Sequence, residues 1–130
     1  MPVDALTPYV HVADVQRSID FYRRLGLVER NRHEEDGRLV WAFVTGPADD
    51  PNEAKARLML GLADEPVDAS AQGVLFYCWA PDVHALHAEL EAEGIDVGPV
   101  ERPFYMRAGE FSLVDPDGYV VVVGQLGDAD

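Results

Sequence analysis

Cysteine occurs once in the chain, as Cys78, which excludes an internal disulfide and leaves no thiolate cluster for zinc or an iron–sulfur centre. Long apolar runs are missing too. No stretch approaches the roughly 18 residues a membrane span needs, and the opening MPVDALTPYVHV has no basic segment leading into an apolar one. A cytoplasmic protein with no membrane partner is therefore expected. Positive charge is scarce, with 10 Lys and Arg against 24 Asp and Glu, for a formal net charge of −14. Such a surface repels nucleic acid and anionic lipid, and it raises the encounter rate of a cationic ligand. Solubility alone also accounts for an acidic surface.

What is present is a repeat. The 130 residues, 48% of them apolar, suit a single domain spanning 1–130. Within it, Thr7-Pro-Tyr9-Val-His11-Val-Ala-Asp14-Val15 matches Leu75-Phe-Tyr77-Cys-Trp79-Ala-Pro-Asp82-Val83 at an offset of 68, which Gly26 and Gly94 share. Each copy opens with strand formers and passes through an aspartate suited to capping a helix, Asp14 or Asp82. Val15, Ile19, Tyr22 and Leu25 then recur at helical spacing before Gly26, and Val83, Leu86 and Leu90 do so before Gly94. Strands are expected at VERNRHE, RLVWAFVTG and ARLMLGLA in the first copy, and at IDVGPVER, GEFSLVD and YVVVVGQL in the second. Asp115-Pro-Asp-Gly118 closes the last hairpin, with proline presetting the turn. The fold class is thus α+β: two tandem β-α-β-β-β modules, 5–63 and 73–127, forming a cupped mixed sheet and joined by the linker 64–72. Residues 128–130 are expected to fray.

Side chains alternate across a strand, so Val10 and Val12 should face the first helix while Thr7, Tyr9 and His11 face away. In the second copy Val74, Phe76 and Cys78 should face the helix, and Leu75, Tyr77 and Trp79 should face away. Both copies then line a concave face with aromatics, which suits a small-molecule pocket. On LVWAFV, one of Trp41 and Phe43 is expected to face that concavity, and Trp41 is taken as the inward one. Among polar groups, His11 shares a face with Tyr9, and Glu110 could oppose it as an acid–base pair. Arg107 could clamp a carboxylate or stack on a ring. His84 and His87, three apart on the second helix, are expected on a solvated face rather than on a metal.

The pattern D-V-x-R-S-I-x-F-Y-x-x-L-G-L in the first helix and F-S-L-V-D-P-D-G-Y in the last hairpin resemble the vicinal oxygen chelate superfamily, from about Leu6 to Leu126. Glyoxalase I, ring-cleaving dioxygenases and bleomycin-resistance proteins belong there. Metal-using members place a histidine seven residues before the capping aspartate, where this chain has Thr7 and Leu75. Their carboxylate four residues after the final glycine is Val122 here, and its counterpart within Arg57–Leu62 is missing. Apolar side chains offer no donor to a divalent ion, so neither a metal nor any other cofactor is expected. Thr7-Pro8-Tyr9 and the loop Pro103-Phe-Tyr-Met-Arg-Ala-Gly-Glu-Phe111 resemble the bleomycin-resistance branch, although Ala108-Gly109 stand where that branch often has Gly-Arg before Glu-Phe. That branch implies a homodimer with pockets formed where subunits meet.

These readings converge on a metal-independent protein that binds and sequesters a small molecule, such as a cationic, aromatic antibiotic, and so confers resistance. The expected ligand contacts are Thr7, Tyr9, His11, Trp41, Leu75, Tyr77, Trp79, Phe104, Tyr105 and Arg107. The alternative is a lyase, isomerase or dioxygenase of the same superfamily. It would use non-standard metal ligands such as His11, Tyr9 and Glu110, or His11 and Glu110 as a metal-free catalytic pair.

Overall fold

The first and last strands of each repeat pair with one another, so each repeat closes its own sheet. The computed structural model describes residues 2–127; the expected fraying at 128–130 lies outside the described residues. The chain divides between Val67 and Asp68 into two compact units, within the 64–72 segment.

In the first unit, β1 (Tyr9–Val12) precedes α1 (Val15–Arg23), followed by β2 (Val28–Glu35), β3 (Arg38–Thr45) and β4 (Arg57–Leu62). The strands form a mixed sheet in the order β1-β4-β3-β2, with β1 parallel to β4 and the other pairs antiparallel. Helix α1 lies against β2, β3 and β4. Val15, Ile19 and Tyr22 are buried on its inner side, together with Val12, Ala42, Val44 and Leu60 of the sheet. The edge strand β2 is almost wholly exposed, highly charged and interrupted by two register shifts, features that discourage edge-to-edge association.

In the second unit, β5 (Leu75–Ala80), α2 (Val83–Ala92), β6 (Glu110–Val114) and β7 (Val120–Gln125) follow the same order. The sheet order is β5-β7-β6, with β5 parallel to β7 and β6 antiparallel to it. The strand expected at IDVGPVER does not form as a continuous element. Only isolated bridges, Val97 to Leu113 and Glu101 to Glu110, tie the segment to β6. Pro99 lacks the N–H a ladder needs, and Gly98 approaches Ser112 so closely that a Cβ there would lie 3.2 Å from its carbonyl oxygen. Val74 also departs from expectation. It precedes β5 and is 58% exposed, so the inner face begins at Phe76 and continues through Cys78 to the buried Ala80.

Both helices start and stop as the repeat demands. Asp14 accepts a hydrogen bond from the Arg17 N–H at 3.1 Å, and Asp82 accepts one from the Ala85 N–H at 3.0 Å. At the other end Leu27 N–H donates to the Tyr22 carbonyl and Ile95 N–H to that of Leu90, with Gly26 and Gly94 at φ of 93° and 82°. These are two copies of one Schellman stop.

The turn between β6 and β7 is held by one buried carboxylate. Asp115 accepts hydrogen bonds from the N–H groups of Asp117 and Tyr119, each at 2.9 Å, and is only 4% exposed. Removing it orphans two donors at the hairpin tip. Asp115→Ala is therefore expected to destabilise the protein by about 2–3 kcal/mol, with partial rescue by Asn, as measured by urea unfolding.

Candidate functional site

Alternation along β5 sets the candidate site. Because Phe76, Cys78 and Ala80 face the inner side, Tyr77 and Trp79 stand on the opposite face. Burial raises the Cys78 thiol above its ordinary pKa, so this cysteine is a poor nucleophile. The cross-strand partner of Trp79 on β7 is Gly124, and that of Gly124 on β6 is Glu110. A glycine in the middle of this row leaves a gap between the indole and the carboxylate. The gap is used: a Cβ at Gly124 would lie 2.9 Å from Met106 Cε and 3.2 Å from both Cε1 and the hydroxyl oxygen of Tyr77.

The result is a recess of about 340 Å³ lined by Tyr77, Trp79, Tyr105 and Met106. The Tyr77 and Trp79 rings pack with centroids 4.9 Å apart at 44°. Met106 is 1% exposed and anchors the loop, while Phe104 and Tyr105 meet edge to face with centroids 5.4 Å apart. The loop is also tied to α2. His84 donates from Nε2 to the Ala108 carbonyl at 3.0 Å, and His87 donates to that of Gly98 at 2.8 Å while packing edge-on against Phe111. Both histidines therefore tether α2 to its neighbouring loops: His84 is exposed, as expected, while His87 is half-buried.

Beside this lining stands the carboxylate of Glu110. Tyr77 donates its phenol to Glu110 Oε1 at 3.0 Å. Burial and this carboxylate push the Tyr77 phenol up to about 12, so it stays protonated and keeps its hydrogen to donate at physiological pH. The Tyr105 phenol is raised as well, by partial burial and by the hydrogen bond and charge of Glu110. Of the other expected contacts in this unit, Leu75 sits at the far end of β5 in a row with Val120, Phe104 is 86% exposed, and Arg107 is exposed. None of the three lines the recess.

In the first unit the face away from α1 carries Tyr9 and His11 of β1, Met59 and Gly61 of β4, and Trp41 and Phe43 of β3, as the register places them. Trp41 and Phe43 do not point in opposite directions: residues two apart share a face, and it is Ala42 and Val44 between and beyond them that are buried. The Tyr9 ring covers Gly61, filling the space a Cβ would take, and lies 5.5 Å from the His11 ring. Thr7 is occupied by a cation of the chain itself: its Oγ1 accepts from Arg57 Nε at 3.0 Å and Nη2 at 2.7 Å. The same guanidinium holds the Asn52 carbonyl at 2.7 Å.

That arrangement bears on the metal sites that the sequence resemblance raised. Thr7 faces a guanidinium, Leu75 and Val122 are apolar, and the strand Arg57–Leu62 has no carboxylate. Among the described residues no group of three or more His, Cys, Asp and Glu is placed to hold an ion. The side chains at these positions do not fit a divalent metal, and no chemical step is assigned to one. Met106, Gly124, Gly61 and Arg57 are the site features that residue type alone left unmarked. The pairing of Tyr77 with Trp79 and of Tyr9 with His11 was the signal for the faces on which they lie.

Two sheets of this topology, each with one helix, define the glyoxalase and bleomycin-resistance fold. The model of the Glyoxalase/Bleomycin resistance protein/Dioxygenase superfamily matches residues 6–123, and the chain belongs to that superfamily. Among solved structures it is similar to a bleomycin-binding protein complexed with bleomycin, at 20% identity and a TM-score of 0.68 over 95% of this chain and 98% of that one. TnmS3, an antibiotic binding protein from Streptomyces sp. CB03234, aligns at 22% identity and a TM-score of 0.69 over 96% and 98%. Lactoylglutathione lyase from Agrobacterium tumefaciens aligns at 21% identity and a TM-score of 0.65 over 98% and 97%. No curated protein sequence matches the chain. Among the described residues no helix is long and apolar enough to cross a membrane.

The Tyr77–Glu110 contact has a spectroscopic consequence. A phenol with its folded-state pKa raised from about 10 to about 12 contributes stability that is complete below pH 10 and is lost as pH rises toward 12. Ultraviolet titration should show one tyrosine ionising well above the ordinary range, and Glu110→Gln should bring it down. An unchanged late step in that variant would assign the shift to burial alone.

Proposed function

We propose that this chain is a metal-independent binding protein that sequesters a planar small molecule, an antibiotic in the reading we favour, in the recess of its second unit. The observation that carries this is the lining itself: two tyrosines, a tryptophan and a methionine around about 340 Å³, within the range of small-molecule sites. Stacking on aromatic faces supplies affinity, and the net charge of −14 speeds capture of a cationic ligand. The superfamily and the antibiotic-binding structures of the same fold support the reading. Tyr9, His11 and Trp41, together on one face of the first unit, offer a separate aromatic surface of the same kind in this proposal. Leu75, Phe104 and Arg107 stand outside the recess lining and meet a ligand only where it extends beyond that recess. The protein acts in the cytoplasm as a homodimer, and sedimentation tests that stoichiometry.

Trp79 is 49% exposed, so a ligand in the recess covers it and changes its emission. Titration with bleomycin and a chemically broad antibiotic panel should give at least one saturable quench. Trp79→Ala should weaken that ligand about tenfold or more, at 1.4 kcal/mol per tenfold. A flat response across the panel would count against sequestration.

The likeness to a lactoylglutathione lyase supports a second reading, an enzyme of the same superfamily that either holds a metal through non-standard ligands or uses His11 as a metal-free acid–base group. Elemental analysis of protein prepared without chelator separates the first case, since a stoichiometric transition metal would favour catalysis. Turnover lost with binding retained in His11→Ala would favour the second.

A further inference from the structure

One end of the first sheet gathers positive charge that no carboxylate among the described residues neutralises. Thr45 on β3 is fully buried, and two half-buried arginines flank it on the face that carries Phe43 and Met59. Arg57 is its partner in register on β4, and Arg30 of β2 donates from Nε to Thr45 Oγ1 at 2.9 Å. Arg30 Nη2 also donates to the carbonyls of Gly46 and Ala48, at 3.3 and 2.8 Å. These acceptors, like the Thr7 hydroxyl and the Asn52 carbonyl held by Arg57, are neutral. Neither arginine makes an ion pair among the described residues, although the loop that both hold carries Asp49, Asp50 and Glu53. The Asp50 carboxylate is instead turned onto the Asn52 N–H. A guanidinium has five N–H groups, so each arginine keeps at least two that no described residue takes. Two like charges around one threonine repel each other, and an anion between them removes that cost.

We propose that Arg30 and Arg57 form an anion site on the first unit whose ligand is an organic carboxylate. The acid group lies between the two guanidiniums, and the apolar body lies over Met59 and Phe43, which follow Arg57 and Thr45 on the same face. A planar guanidinium fork matches the paired oxygens of a carboxylate and binds them by charge-assisted hydrogen bonds. The Thr45 hydroxyl and the loop carbonyls already fix where each guanidinium stands, so little side-chain freedom is lost when an anion arrives. Positive charge is also concentrated in this half, since only Arg102 and Arg107 of the chain's ten Lys and Arg lie in the second unit. The net charge of −14 slows the approach of an anion without cancelling contacts at hydrogen-bond distance. The inference stands on the first unit alone and does not depend on the recess.

Arginine Nε–H signals, followed by NMR on the wild-type protein at near-neutral pH, test it with three probes: 1-naphthoate as the carboxylate, 1-naphthalenemethanol as the neutral ring, and sulfate as the bare oxyanion. Naphthoate should move the Arg30 and Arg57 signals saturably and leave in place that of Arg38, exposed at the other end of β3. The alcohol and sulfate should each bind about tenfold more weakly than naphthoate. Arg57→Lys, which keeps the charge and loses the fork, should weaken naphthoate about tenfold. Unmoved Arg30 and Arg57 signals overturn the inference in the wild-type protein, before any variant is made. A shift of Arg38 in step with them overturns it too, as screening of the whole chain. Sulfate or the alcohol matching naphthoate also overturns it, because one half of the ligand then suffices. None of these outcomes bears on the recess, which Trp79→Ala tests separately.

Discussion

In each unit a tyrosine ring occupies space that a side chain on the neighbouring parallel strand would otherwise claim. Tyr9 lies over Gly61 and Tyr77 lies against Gly124. In the register both glycines sit opposite the residue two places beyond the tyrosine, His11 in one unit and Trp79 in the other. The ring leans along the sheet because the glycine lets it, and the following aromatic stands beside it. Any larger residue at either glycine would push the tyrosine out of the sheet surface, and in the second unit would also displace Met106, which is within the same space. The aromatic floor of the recess therefore depends on the absence of one side chain.

The two units use the same device differently. In the second, the row beside Trp79 runs through Gly124 to Glu110, whose carboxylate accepts the Tyr77 phenol. In the first, Tyr9 closes the gap and the nearby polar feature is the Arg57 guanidinium clamped on Thr7. The duplicated scaffold thus presents a negative group in one copy and a fixed positive group in the other. The position that a metal-using relative fills with a histidine is here bound up with an internal cation, which is a stronger reason against a divalent ion than an apolar substitution alone.

Much of this was legible in the residues. Asp14 and Asp82, Gly26 and Gly94, and Asp115-Pro-Asp-Gly118 read directly as caps, stops and a turn, because each depends on a local hydrogen bond or backbone angle that the residue type dictates. The alternation along β1 and β5 placed Tyr9, His11, Tyr77 and Trp79 correctly. Trp41 and Phe43, expected on opposite faces, share one because the strand's period of two puts them on the same side. The segment 95–102 looked like a strand because Ile, Val and Val outweigh Gly98 and Pro99 in a propensity reading. Pairing with β6 requires N–H donors in register, and proline removes one. His84 is exposed as its helical position suggests, but the carbonyl partners of His84 and His87, Ala108 and Gly98, lie in segments whose course no local pattern reveals. Met106 and Arg57 were hidden for the same reason: burial of the one and the three hydrogen bonds of the other are long-range facts.

The parallel pairing of the outer strands carries a cost in time. Tyr9 meets Met59 and Tyr77 meets Val122, so neither β1 nor β5 has a backbone partner until nearly all of its own unit has been made. Joining such distant segments means closing large loops before any ladder bond rewards the closure, which slows folding relative to a chain of hairpins. Each unit, however, supplies every strand of its own sheet. On a ribosome the leading half can therefore zip shut once β4 has emerged, while the trailing half is still being polymerised.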